Sequence, residues 1–129
     1  MKRPVVVDTN MILRFLLADH PDHFRQATAL MADIREGKIQ AYVPESVLAE
    51  CVYVLLKFYE VPKGEIASKL EGLLGYRDIT GEHVPQMSAA LRLFASRNIS
   101  IVDAIVFSIA EANGWQLETF DRRLQKLRR

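Results

Sequence analysis

Short apolar runs alternate along the chain with longer segments in which apolar residues recur every three or four positions. The first pattern is typical of buried strands and the second of amphipathic helices. The runs predict strands at 5–7, 41–43 and 116–119, and a further short strand is compatible with 76–80. The periodic segments predict helices at 11–18, 24–36, 46–59, 63–74, 82–97 and 101–113, and a short basic helical end at 122–127. Strands alternating with helices indicate an α/β fold around a mostly parallel sheet.

Length and composition restrict the class of protein. The 129 residues suffice for one core, and no repeat or linker divides them. Half of the residues are apolar and the net charge is +1, which excludes disordered, fibrous and strongly basic nucleic-acid-coating proteins. The single cysteine cannot form an internal disulfide, and charges interrupt every apolar run before it could cross a bilayer. We therefore expect a single domain over 1–129 of a soluble, cytoplasmic protein.

Three aspartates lie where such a sheet collects its ligands, at the carboxyl ends of strands. Asp8 directly follows the strand at 5–7, and Asp121 follows the predicted strand at 116–119. Asp103 lies in the first turn of the last long helix. Each can instead serve the local helix, because Asp is a favoured N-cap and its charge suits the positive end of the helix dipole. The pattern leaves helix capping and a shared carboxylate site both open.

A fourth acid, Glu50, lies on a helix that is apolar nearly all round. The polar strip of that helix consists of Glu50, Tyr53 and Lys57. This strip is either the solvated edge of the helix or a face turned toward a site, and periodicity does not separate the two. A helix with so little polar surface also favours contact with another subunit.

Four clustered carboxylates repel one another unless a cation joins them. Mg²⁺ or Mn²⁺ best fits a site made of carboxylate oxygens, and such a site suits phosphoryl chemistry in which a metal activates water. Without these four, 12 of the 16 acidic residues remain against 17 basic ones, a balance that modestly favours a polyanionic substrate.

Basic residues cluster at the end of the printed sequence, at Arg122, Arg123 and Lys126. Such a cluster can hold phosphate groups. The alternative is a solvated helix end, whose cations favour the helix C-terminus, and for Arg128 and Arg129 it is the better interpretation.

Histidine and cysteine give weaker signals. His20 and His23 have a spacing that can suggest a metal, but Pro21 between them favours a loop that leads into a capped helix. His83 is most simply a surface residue near a helix start. Cys51 lies among apolar residues and is interpreted as packing rather than as a nucleophile.

The four acids and their neighbours resemble the PIN-domain family of metal-dependent ribonucleases. The resembling segments, in order, are VVVDTN at 5–10, LAE at 48–50, SIVDA at 100–104 and TFDRRL at 119–124. Each motif alone is weak, but all four in order in a short chain make a strong signal. The spacing and total length resemble those of the small single-domain toxins called VapC, and the resemblance covers nearly the whole chain.

The resemblance implies a three-layer α/β/α sandwich with a short, mostly parallel sheet, and RNA cleavage that depends on Mg²⁺ or Mn²⁺. It implies Asp8 and Asp103 as direct metal ligands, with Glu50 and Asp121 binding directly or through water. Polar neighbours would orient these carboxylates, namely Thr9, Asn10, Ser100 and Thr119. It further implies an RNA substrate, a homodimer and a small antitoxin protein whose C-terminal segment lies in the active-site groove.

Two other functions compete with this one. A phosphatase could use Asp8 as a covalent nucleophile, but such enzymes usually carry a second Asp two positions later, where this chain has Asn10. A non-catalytic scaffold could bind RNA or protein, but clustered negative charge without a metal gives RNA no binding surface.

Overall fold

The structure, a computed structural model, describes residues 3–127. Three two-residue strands, β1 (Val5–Val6), β2 (Ala41–Tyr42) and β3 (Ile79–Thr80), form one parallel sheet in the order β1-β2-β3. Helices make up most of the described chain, and their bounds are α1 (Thr9–Leu17), α2 (Pro21–Arg35), α3 (Glu45–Lys57), α4 (Lys63–Leu74), α5 (Val84–Ser96), α6 (Ile101–Asn113) and α7 (Arg122–Leu127). Arg128 and Arg129 lie outside the described residues.

The predicted α/β fold with a short parallel sheet is confirmed. In the sheet, Val5 is aligned with Ala41, and Ala41 with Ile79. Because the three strands run in the same direction, their carboxyl ends share one edge of the sheet. Asp8 follows β1 by two residues and therefore lies near that edge.

The predicted strand at 116–119 is wrong, since this segment forms neither strand nor helix. Local hydrogen bonds direct it into a turn instead. The Thr119 hydroxyl accepts from the Asp121 amide at 3.0 Å, and the Gln125 side chain donates to the Thr119 carbonyl at 2.8 Å. Side chains that bond nearby backbone groups compete with a strand ladder in this way.

Helix α2 begins earlier than its apolar pattern predicts. It starts at Pro21, because proline fits the first helical position and no amide is needed there. The ring nitrogen Nδ1 of His20 accepts from the His23 amide at 3.4 Å and caps the helix. The two imidazoles stack with centroids 4.0 Å apart. The expected loop before the helix is therefore wrong for His23, which lies within α2, and His20 forms the cap.

The helix at the centre of the fold is α3, which packs against α1, α4 and α6. Its buried residues, Leu48, Cys51, Val52 and Leu55, recur at helical spacing and mark its core-facing side. Burying an aliphatic side chain of this size contributes about 1.5–3 kcal/mol. Among residues 3–127, no helix has both the length and the apolar character needed to span a bilayer.

His83 lies at the start of α5, as expected, but it is half-buried rather than on the surface. Its Nε2 lies 2.8 Å from the Val43 carbonyl oxygen, and its ring lies 4.7 Å from that of Tyr42. Gly81 makes room for the imidazole: at φ +128°, a Cβ added there would lie 2.4 Å from the His83 ring. This contact fixes the end of β2 just before α3 begins.

Candidate active site

Thr9 connects Asp8 and Glu50 at the start of α1. Asp8 has an extended backbone and caps the helix, with Oδ1 accepting from the Met11 amide at 3.0 Å. The next residue, Thr9, donates a hydrogen bond from its hydroxyl to Oε1 of Glu50 on α3. The polar strip of α3 thus begins at this contact, and the first and second acids of the sequence motif are neighbours.

Cys51 lies beneath these two acids. Its thiol donates to the Thr9 carbonyl at 3.9 Å. Burial, together with the negative charges of Glu50 and Asp8, raises the thiol pKa from 9.0 to about 12. A thiol with this pKa stays protonated and unreactive, which agrees with its interpretation as packing.

The third and fourth acids are presented by two helix starts. Ser100 caps α6, and its hydroxyl accepts from the Asp103 amide at 3.1 Å. The carboxylate of Asp103 makes no hydrogen bond with the described residues. Asp121 caps α7, with Oδ1 accepting from the amides of Arg123 at 2.8 Å and Leu124 at 3.4 Å. Asp8 and Asp121 therefore act as helix N-caps through Oδ1, and the Oδ2 atom of each takes no part in the capping hydrogen bonds.

Asp103 and Asp121 line one cleft of about 600 Å³. Its walls come from α3, from the connection between α5 and α6, and from the start of α7. Three cations line it together with the two acids, namely Lys57, Lys63 and Arg123. A cleft with both signs of charge can hold an anion near its cations and a cation near its carboxylates.

Two of these cations also fix the connection that leads to Asp103. The ammonium of Lys63 donates to the carbonyls of Arg97 at 3.0 Å and Ile99 at 3.4 Å, and it lies 4.4 Å from the centre of the Phe94 ring. The guanidinium of Arg123 donates to the carbonyl of Asn98 at 3.2 Å. Three consecutive carbonyls in the connection between α5 and α6 thus accept from cations. The first belongs to the C-cap of α5, where the helix dipole favours positive charge.

Asp8 lies in a separate, smaller groove of about 230 Å³. Its other lining residues are Asn10, Met11, Arg14, His23 and Gln26. Arg14 is paired with Asp19 at 2.8 Å. The groove therefore combines the first acid with polar groups from α1 and α2.

The structure arranges the four acids as two pairs rather than as one cluster. Thr9, next to Asp8, binds Glu50, and Asp103 and Asp121 line the large cleft. Residues 3–127 contain no group of three or more His, Cys, Asp or Glu side chains placed to hold a metal ion.

The chemistry of the donors nevertheless fits a hard divalent ion, since all four offer carboxylate oxygens. In the described part of the chain the four ion pairs use other acids, namely Asp19, Asp22, Glu36 and Glu71. The four candidate carboxylates therefore have no Lys or Arg partner there.

The polar residues expected to orient the carboxylates differ in what they contact. Thr9 binds the Glu50 carboxylate directly. Ser100 and Thr119 bind the backbone amides of Asp103 and Asp121 and so fix the turns rather than the carboxylates. Asn10 lines the groove of Asp8.

The basic residues of α7 are exposed, apart from the contact of Arg123 described above. Lys126 and Arg123 line a shallow depression together with Arg97. Arg122 precedes them on the same short helix. The expected cationic cluster is therefore present beside the large cleft, and Arg97 extends it.

Sequence reasoning missed Lys63. A signal was available, because Lys63 is the first residue of α4, where the helix dipole disfavours a cation. The cation is tolerated there because it reaches the carbonyl end of α5.

Comparison with known proteins agrees with the motifs. A family model described as PIN domain matches residues 5–129. A VapC ribonuclease from Aquifex aeolicus (strain VF5) is 24% identical over 123 residues, which cover 95% of this chain and 90% of that protein. No solved structure matches the chain. Because the family model spans nearly all of the sequence, the chain belongs to the PIN domain family.

Proposed function

We propose that this protein is a metal-dependent endoribonuclease that hydrolyses RNA phosphodiester bonds, and that it is the toxin of a toxin–antitoxin pair. The observation that carries the proposal is a set of four carboxylates that have no Lys or Arg partner among the described residues. Two of them line a cleft that also contains three cations. Family membership and the similarity to a VapC ribonuclease support the same activity.

We assign Mg²⁺ or Mn²⁺ to these carboxylates, with Asp8 and Asp103 as direct ligands and Glu50 and Asp121 binding directly or through water. A divalent ion would supply the positive charge that the four acids lack. When bound, such an ion neutralises charge on a phosphate and lowers the pKa of a water molecule.

The chain's own groups position the acids and the RNA. The Thr9 hydroxyl holds the Glu50 carboxylate, and the caps made by Asp8 and Ser100 fix the two helix starts from which Asp8 and Asp103 project. Phosphates flanking the cut bond would lie against Arg122, Arg123 and Lys126.

The same family resemblance supports further parts of the proposal. The protein acts in the cytoplasm as a single domain and a homodimer, and a small antitoxin inhibits it by placing its C-terminal segment in the active-site groove. A phosphatase is less consistent with the geometry, because one oxygen of Asp8 caps α1 and the residue two positions later is Asn10.

The proposal is tested by incubating purified protein with total cellular RNA in Mg²⁺, in Mn²⁺ and in a chelator. We expect discrete fragments that require metal. Asp8→Asn and Asp103→Asn should abolish cleavage without unfolding the protein. Asn remains a good N-cap at position 8, and the Asp103 carboxylate bonds no described residue.

Asp22→Asn is the matched control, because Asp22 lies on the exposed start of α2 and lines neither the cleft nor the groove of Asp8. It should cut RNA at the parent rate. Cleavage at that rate by Asp8→Asn or Asp103→Asn would show the metal assignment to be wrong. Absence of cleavage by the unaltered protein across metals and RNAs would favour the scaffold or phosphatase functions, and a phosphomonoester assay would separate these.

A further inference from the structure

Two aromatic rings, one on α3 and one on the residue that follows it, are exposed. Tyr53 is 55% exposed and lines the 600 Å³ cleft, and Phe58 is 73% exposed. The rings meet edge to face, with centroids 6.3 Å apart and planes at 77°. This contact restricts the Tyr53 ring while leaving it accessible from the cleft.

The position of Tyr53 links the acids to the cations. On α3, Glu50 is about one turn before it and Lys57 about one turn after it. Lys57 also lines the cleft, and its ammonium makes no ion pair or hydrogen bond with residues 3–127. Arg123 faces the same space from α7. An aromatic face with cations at its side is the combination that binds a nucleotide, by stacking on its base and pairing with its phosphate.

We propose that this cleft is a subsite for one unpaired RNA nucleotide, whose base stacks on Tyr53 and whose phosphate is held by Lys57 and Arg123. The inference rests on the proposed nuclease function and adds the selection of an unpaired nucleotide next to the cut. A base within a duplex has both faces covered by its neighbours and cannot lie against the ring. The cleft volume lies in the range of sites that enclose small ligands.

The charges on the cleft favour a nucleotide over an apolar occupant. Three cations and two carboxylates line it. The charged groups of Lys57 and Asp103 have no hydrogen-bond or ion-pair partner among the described residues, and an apolar segment would bury them unpaired. A nucleotide instead supplies an anion for Lys57 and Arg123 and an uncharged ring for Tyr53. Stacking tolerates every base, so the subsite selects single strands rather than a sequence.

The test uses the full chain and a short single-stranded RNA that carries a fluorescent adenine analogue, with chelator present to keep the RNA intact. Stacking on Tyr53 should quench the analogue when the RNA binds. Tyr53→Leu should remove the quenching and weaken binding about ten-fold, whereas Tyr53→Phe should retain both. Tyr59→Leu is the matched control, because Tyr59 is an exposed tyrosine near the end of α3 that does not line the cleft.

A second variant guards against a folding defect in the first. Lys57→Gln should leave the quenching in place while weakening binding and lowering its salt dependence by about one phosphate contact. Equal quenching in Tyr53→Leu and in the unaltered protein would overturn the subsite. So would conversion of a dimer to a monomer by Tyr53→Leu, because the ring would then be covered by a second copy of the chain.

The outcomes separate this inference from the nuclease function. Metal-dependent cleavage by the unaltered protein without quenching that depends on Tyr53 would refute the subsite and leave the nuclease standing. Quenching that depends on Tyr53 without cleavage in any metal would support the subsite and refute the nuclease. Failure of the unaltered protein to bind the RNA would overturn the subsite.

Discussion

Replacing Lys63 by Met should loosen the connection that presents Asp103. The substitution keeps an unbranched apolar side chain of similar length and removes the ammonium. That ammonium holds the Arg97 and Ile99 carbonyls and lies over the Phe94 ring. Its removal leaves two backbone acceptors at the end of α5 without their cationic donor.

The size of the effect follows from these contacts. A hydrogen bond from a charged group contributes about 1.5–3 kcal/mol, and a cation over an aromatic ring about 0.5–1 kcal/mol at an exposed site. The 3.4 Å bond is weak, and water reaches part of the connection, so the sum must be discounted. We expect Lys63→Met to lower the free energy of unfolding by about 2 kcal/mol, which corresponds to a fall in Tm of about 6 °C in a domain of this size.

Urea unfolding and RNA cleavage measure the two consequences. Lys69→Met is the matched control, since Lys69 is exposed on the same helix and its ammonium makes no hydrogen bond or ion pair with the described residues. Cleavage should fall more in Lys63→Met than in Lys69→Met at a temperature where both variants are folded, and Lys63→Arg should recover part of both losses. If Lys63→Met and Lys69→Met unfolded within 0.5 kcal/mol of each other, a margin of about the usual surface effect, the carbonyl contacts would not be stabilising the connection.

Three other expectations concern single sites. Gly81→Ala should lower the free energy of unfolding in urea by about 2–3 kcal/mol, because position 81 has a φ of +128° and a Cβ there would lie 2.4 Å from the His83 imidazole. Gly72→Ala on α4 should raise the free energy of unfolding by up to about 1 kcal/mol, because a Cβ there meets nothing within 4 Å. Equal stabilities of the two variants would contradict this reasoning. Above pH 9, the free energy of unfolding of the unaltered protein should fall more steeply than that of Cys51→Ala, by about 1.4 kcal/mol per pH unit. The reason is that the thiol ionises in the unfolded chain, whereas in the folded protein it stays protonated up to about pH 12. Parallel pH profiles of the two proteins would refute that pKa. Arg122→Ala and Lys126→Ala should each weaken RNA binding and reduce the dependence of binding on salt concentration. An unchanged salt dependence would indicate that both residues only form a solvated helix end.

Local patterns predicted those features of the fold that local physics controls. Helical periodicity located α3 and its polar strip, and capping preferences located the turns at Asp8 and Ser100. The segment at 116–119 shows the limit, because its alternation suits a strand, yet the hydroxyl and carbonyl of Thr119 are used in the turn into α7. A pattern of two or three residues cannot decide between these competing sets of hydrogen bonds.

Sequence reasoning singled out the four acids and Arg123 of the candidate site, and it missed Lys63. Acids that follow strands can be recognised in the sequence, because the carboxyl ends of parallel strands share one edge of the sheet, where ligands bind. The contacts of Lys63 and Arg123 depend on how α4 and α7 approach the end of α5, which no spacing in the sequence encodes. His83 was misassigned for the same reason, since its partner Val43 is 40 residues away.

The closing of the large cleft by α7 has a consequence for synthesis of the protein. α7 follows more than one hundred residues of chain, and it docks through Leu124, which is 3% exposed, and through Arg123. A nascent chain emerges from the ribosome with its N-terminal elements first, so β1 through α6 can fold while one wall of the cleft is still missing. Completion of the cleft is therefore delayed until translation has passed Asp121 and Leu124, and a partly synthesised chain lacks the cleft that the finished one possesses.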